Sequence, residues 1–123
     1  MRRLVLPVAL TIGILALCSV PGTSLPRVRV VSADKLVHIA MFAAFGWAWL
    51  RAVPDRVGAV LAGGVAFAVL TEVWQDTLPI GRTGDPADAV ADVLGLGLAV
   101  GVWVALRNRT RTPAGPRESA PER

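Results

Sequence analysis

Four apolar blocks, separated by short knots of Pro, Gly and charge, constrain this chain more than any other feature. Leu4 to Val20 follows Arg2 and Arg3 and stops at Pro21-Gly22. A second block runs from about Leu36 to Val53, a third from about Val57 to Leu78, and a fourth opens at Asp85-Pro86 and continues to about Leu106. Each approaches or exceeds the ~17 residues that a helix needs to cross the hydrocarbon core of a bilayer. A hydrophobic content of 54% and a mean hydropathy of +0.56 are high for a water-soluble fold of 123 residues. The expected fold is therefore all-α, a four-helix transmembrane bundle over residues 1–106 whose polar motifs fall within 34–106. Residues 107–123, rich in Arg, Pro and Glu, are expected to form a disordered basic cytoplasmic tail.

The first block also has the basic start and apolar centre of a secretory signal. No A-x-A-like cleavage site follows it, and a retained span is the favoured reading. Pro54-Asp55-Arg56 is too short for anything but an antiparallel reversal. Ser32 or Asp34 is placed to cap the second helix, and Asp85-Pro86-Ala87-Asp88 has the chemistry of a helix start. Gly58, Ala62 and Ala66, Ala59 with Gly63, and Gly97 with Gly101 repeat small residues every fourth position. That spacing lets helices approach closely in lipid, so these faces are expected at helix contacts.

Basic residues near the ends of the blocks orient the bundle. Arg2, Arg3, Arg51, Arg56, Arg107, Arg109, Arg111 and Arg117 fall on one side, against Arg27, Arg29, Lys35 and Arg82 on the other. The larger group marks the cytoplasm, giving a multi-pass protein of the cell membrane with both termini inside. This asymmetry accounts for a net charge of +4 and a pI near 11.0 without nucleic acid as a partner. A single Cys18 excludes an intrachain disulfide.

The polar residues gather on the outer side. Asp34 and His38 are one turn apart at the start of the second block, with Lys35 beside them; Glu72, Gln75 and Asp76 share a face of the third helix, and Asp85, Asp88 and Asp92 a face of the fourth. Ionisable groups at a membrane boundary are costly to keep there and mark a site by default. Two plainer roles stay open. Asp85 and Asp88 suit the free N–H groups of a helix start, and Glu72 and Gln75 suit interhelical hydrogen bonding. Asp92 lies a turn too deep for capping and needs a partner such as Arg82, Lys35 or His38.

Asp34-Lys-Leu-Val-His-Ile-Ala-Met-Phe42, Thr71-Glu-Val-Trp-Gln75, Gly81-Arg82 and Asp88-Ala-Val-Ala-Asp-Val-Leu-Gly95 together resemble the VanZ-like membrane proteins. The resemblance implies a small helical membrane domain, an association with resistance to teicoplanin-type glycopeptides, and a ligand-binding set comprising Lys35, His38, Glu72, Gln75, Arg82, Asp88 and Asp92. It implies no established chemistry, and no catalytic residue follows from it. This chain departs from the pattern at Asp92, often Asn in the family, and adds charge at Asp76 and Asp85.

Three functions compete. The first is a non-enzymatic membrane protein whose outer site binds an envelope component or a cationic antibiotic such as a glycopeptide. The second is a membrane enzyme acting on a lipid-linked envelope precursor, with His38 or Glu72 as acid–base and Lys35 and Arg82 as phosphate clamps. Six acids against two bases in this region would repel a bare phosphate, so that reading calls for a divalent cation or for neutralised carboxylates. The third is a proton-coupled transporter, for which four short spans are few unless the protein is an oligomer.

Overall fold

A computed structural model describes residues 2–20, 31–79 and 84–111, which form four α-helices with no strand among them. They are α1 (Arg2–Cys18), α2 (Val31–Ala52), α3 (Val57–Thr77) and α4 (Pro86–Arg111). Two of them, α3 over its whole length and α4 over Pro86–Thr110, are long and apolar enough to cross a membrane.

Local chemistry explains most boundaries. Arg56 N–H donates to the Val53 carbonyl at 3.0 Å, closing the tight reversal between α2 and α3. Pro79 ends α3 through the residue before it: Leu78 is pushed out of the helical region to φ −84°, ψ 135°. Asp85 caps α4, its Oδ1 accepting the Ala87 N–H at 2.9 Å while Pro86 fills the first helical position. Two boundaries differ from expectation. α2 begins at Val31, so Ser32 and Asp34 lie inside its first turn and neither precedes it as a cap; Asp34 there still suits the helix dipole. α4 runs to Arg111, five residues into the stretch expected to be disordered, because nothing before Pro113 interrupts it. The remainder of that tail lies outside the described residues.

The helices alternate in direction. α2 and α4 run parallel and make the most extensive contact, with Lys35 beside Asp88 near their starts and Pro54 beside Arg107 near their ends. α3 runs antiparallel to both. α1 packs on α2 and α3, where Trp49 donates to Thr11 Oγ1 at 3.3 Å and Trp74 to Ser19 Oγ at 3.0 Å. The core is a ladder of Ile14, Cys18, Phe42, Phe45, Phe67 and Leu96, with Phe45 and Phe67 stacked at 5.2 Å between ring centroids.

Leu96 is the wedge between three helices. It is fully buried, and a Cβ at Gly64 would stand 2.5 Å from its Cδ2, one at Gly46 2.8 Å from its Cδ1. At Gly95 a Cβ would collide with the Ile39 carbonyl, so α2 and α4 approach backbone to backbone there. The small-residue faces expected at helix contacts are elsewhere. Gly58, Gly63, Gly97 and Gly101 would meet nothing within 4 Å, and Ala59, Ala62 and Ala66 are exposed. The reason is angular: at about 100° per residue, Gly97 lies about 200° round the helix from Gly95, on the outer side. Large apolar side chains are exposed on all four helices, among them Leu6, Ile12, Leu36, Val69, Leu94 and Leu98.

Candidate ligand site at the acidic end of the bundle

The inward stripe of α4 reads Asp88, Ala91, Asp92, Gly95, Leu96 and Ala99, all buried. Its first two turns carry carboxylates on the face that the rest of the helix devotes to the core. α2 does the same, with His38 buried one turn before Phe42, and α3 with Gln75 buried one turn after Thr71. The antiparallel reversal brings these three polar segments to one end. The site is thus the continuation of the apolar core in polar residues.

Lys35 Nζ donates to Asp85 Oδ2 at 2.7 Å and to Asp88 Oδ1, tying the start of α2 to the start of α4. Burial works against the ammonium charge, but the hydrogen bonds to Asp85 and Asp88 outweigh it and hold the Lys35 pKa above its ordinary value. The Lys35 hydrogen bond, with that of the Ala87 N–H, holds the Asp85 carboxyl below the usual carboxylate range. His38 Nδ1 lies 2.9 Å from Asp92 Oδ1, a buried hydrogen bond. An ionised Asp92 accepts only, so in the neutral imidazole the proton sits on Nδ1 and Nε2 keeps its lone pair. That Nε2 lies 3.8 Å from Asp88 Oδ2.

Side chains of α3 hold the two residues that precede α4. Glu72 Oε2 accepts the Asp85 N–H at 2.7 Å, and Asp76 Oδ1 accepts the Gly84 N–H at 2.6 Å. Gly84 belongs there for space, since a Cβ would stand 2.9 Å from the Glu72 carbonyl. Asp76, surplus to the sequence motifs, thus holds a loop backbone. Among the described residues, three buried polar atoms at this end have no hydrogen-bond partner: Glu72 Oε1, Gln75 Nε2 and Asp92 Oδ2. Unsatisfied groups at ~1–3 kcal/mol each are expensive to keep without a purpose, and here they share one end of the bundle.

Of the residues singled out from sequence, Lys35, His38, Asp88 and Asp92 form one connected cluster, and Glu72 joins it through Asp85. Gln75 sits on the same inner face, 2% exposed. Arg82 lies outside the described residues. Asp88 does not cap α4: its carboxylate is given to Lys35 and turned toward His38, while Asp85 does the capping. Asp34 is not in the ligand set that the resemblance implies, yet its carboxylate, His38 and Asp88 each offer a ligand atom within 4.8 Å of the others. The i, i+4 spacing of Asp34 and His38 was the available signal. Comparison with protein-family models, with curated proteins and with solved structures finds no match to this chain.

Proposed function

We propose that the chain is a multi-pass membrane protein of the VanZ-like kind, with both termini cytoplasmic and an acidic site at the outer face that binds a cationic group. The ligand class is an envelope component or an amine-bearing antibiotic such as a teicoplanin-type glycopeptide. The observation that carries this reading is the buried His38–Asp92–Asp88 cluster, in which, among the described residues, carboxylates outnumber the one ammonium that reaches them. The membrane setting has its own support. Only 33% of the apolar window of α3 and 28% of that of α4 are buried inside the bundle, and apolar surface left outside in this way supports a lipid-facing setting. Ile14 and Cys18 of α1 belong to the core, which favours a retained first helix.

The buried His38–Asp92 pair also favours a second reading, an enzyme on a lipid-linked envelope precursor with His38 as acid–base. Lys35 is a poor phosphate clamp in that scheme, being held by two carboxylates.

Expression in a glycopeptide-susceptible bacterium tests the leading reading. Teicoplanin tolerance is expected to rise at least severalfold. Asp92→Asn and Glu72→Gln, which keep shape and remove charge, should abolish the rise at unchanged membrane abundance, and the exposed Asp55→Asn should retain it. Loss of abundance in the two site variants, with full tolerance per molecule in what remains, would make these carboxylates structural. Turnover of an undecaprenyl-linked precursor by purified protein would favour the enzyme instead.

A further inference from the structure

We infer that Asp34, His38 Nε2 and Asp88 form a binding site for a divalent first-row transition ion such as Zn2+, with Asp92 as the carboxylate that orients the histidine. The inference deepens the reading of the acidic end as a ligand site; it does not depend on which envelope ligand binds there.

A ring nitrogen of His38 and a carboxylate oxygen from each of Asp34 and Asp88 already converge within 4.8 Å of one another. The His38 Nε2 to Asp88 Oδ2 distance of 3.8 Å is too long for a hydrogen bond. Two ligands at ~2.1 Å from a tetrahedral zinc stand about 3.4 Å apart, so this pair needs only a small closing movement. Asp34 is exposed and free to follow. Its side of the cluster leaves the remaining coordination position to water or a ligand group.

The other ring nitrogen supplies the independent observation. Histidines that bind metals almost always donate their second N–H to a carboxylate or carbonyl, which fixes the tautomer and turns the lone pair toward the ion. Asp92 does this at 2.9 Å from a position 1% exposed, and its Oδ2 has no hydrogen bond of its own. A carboxylate that deep in the bundle is oriented on the imidazole and on nothing else among the described residues. Lys35 takes Asp88 Oδ1 and leaves Oδ2 on the histidine side. Charge points the same way. Asp34, Glu72, Asp85, Asp88 and Asp92 are met by Lys35 alone among the described Lys and Arg side chains of this cluster, so a divalent ion would offset about half of the uncompensated negative charge. The imidazole selects against Mg2+ and Ca2+, which take oxygen ligands, and favours Zn2+ or its neighbours.

Isothermal titration of the full chain in detergent with Zn2+, and separately with Mg2+, tests this. One equivalent of Zn2+ should bind at neutral pH, with Mg2+ at least a hundredfold weaker. Asp34→Asn, at an exposed position that leaves the fold intact, should weaken Zn2+ at least tenfold, and His38→Gln should abolish it. Asp92→Asn should weaken it ten- to hundredfold and alter the visible spectrum of bound Co2+, a change that a merely structural role would not produce. Zn2+ affinity unchanged in Asp34→Asn and His38→Gln, or no saturable binding to the folded wild type, overturns the metal site. Glycopeptide tolerance persisting in that case would leave the binding function standing, and Zn2+ binding without tolerance would leave the metal site standing alone.

Discussion

Both ends of the parallel α2–α4 pair are closed by a cation reaching across to a carboxylate, but the two closures have opposite characters. At one end Lys35 meets Asp88, whose side chain is 9% exposed and backed by His38 and Asp92 inside the bundle. At the other, Arg107 meets Asp55, 83% exposed, and the Pro54 carbonyl of the tight reversal. Behind Arg107 the packing is aromatic, Trp47 edge-on to Trp103 at 5.4 Å between centroids. Buried charge needs partners on every side, whereas a surface latch needs only one. The Arg107 end therefore holds a loop above one neutral indole N–H without a partner, Trp103 Nε1, whereas the Lys35 end gathers Glu72 Oε1, Gln75 Nε2 and Asp92 Oδ2, three unsatisfied atoms among the described residues that a ligand can use.

The sharpest test of that contrast concerns the backbone. Gly95 sits one turn inside the acidic end, where a Cβ would strike the Ile39 carbonyl, an atom that cannot rotate away. Gly101 lies further toward the Arg107 end and would meet nothing. Gly95→Ala is expected to destabilise by ~1–3 kcal/mol through overpacking. Gly101→Ala should be neutral or stabilise by up to about 1 kcal/mol through helix propensity. Thermal unfolding of the two variants in the same detergent measures the difference. Equal effects would mean that α2 and α4 do not approach more closely at the acidic end.

The contrast also marks what the sequence could reveal. Periodicity and Pro or Gly punctuation located four helices, because Pro79 and the Asp85-Pro86 pair act through their immediate neighbours. That the polar residues Lys35, His38, Glu72 and Asp88 share one end of the bundle was legible for a related reason: charges interrupting apolar blocks are rare, and the alternating topology sends these four to the same side. Who pairs with whom was not legible. Whether Asp88 caps its own helix or meets Lys35 depends on the rotation of α4 against α2, which is set by the Gly95 approach and the Leu96 wedge. The same rotation put Gly97 and Gly101 outside, although their spacing suits a contact. The spacing of small residues identifies a face that can approach another helix, without saying which glycine face the core selects.

The acidic closure carries two groups, Lys35 and Asp85, whose titration should show in stability. Lys35 is raised above its ordinary 10.5, so its contribution is complete below that value and is lost as pH rises through the higher folded value. Asp85 is lowered below 3.8, so its contribution is complete above that value and is lost as pH falls through the lower folded value. Melting temperature should then fall on the alkaline side above about pH 10.5 and on the acid side below about pH 4. Lys35→Met should remove the alkaline limb, since Arg107 stays charged throughout. An alkaline limb of undiminished size in Lys35→Met would assign it to another group and weaken the case for a closure through Lys35.

The smallest expected effect belongs to the Arg107 latch. Its Nη2 donates to Asp55 Oδ1 at 2.9 Å, but water reaches most of the Asp55 side chain, so the pair is screened by solvent and salt. A double-mutant cycle with Asp55→Ala and Arg107→Ala should give a coupling of ~0.2–1 kcal/mol, falling further as salt is raised. Arg107→Ala alone should cost more than Asp55→Ala, because it also removes the hydrogen bond to the Pro54 carbonyl. A coupling well above that range, or one that survives high salt, would mean that Asp55 is desolvated as Asp88 is. The two ends would then be variants of one buried closure, and the grounds for placing a ligand at only one of them would be gone.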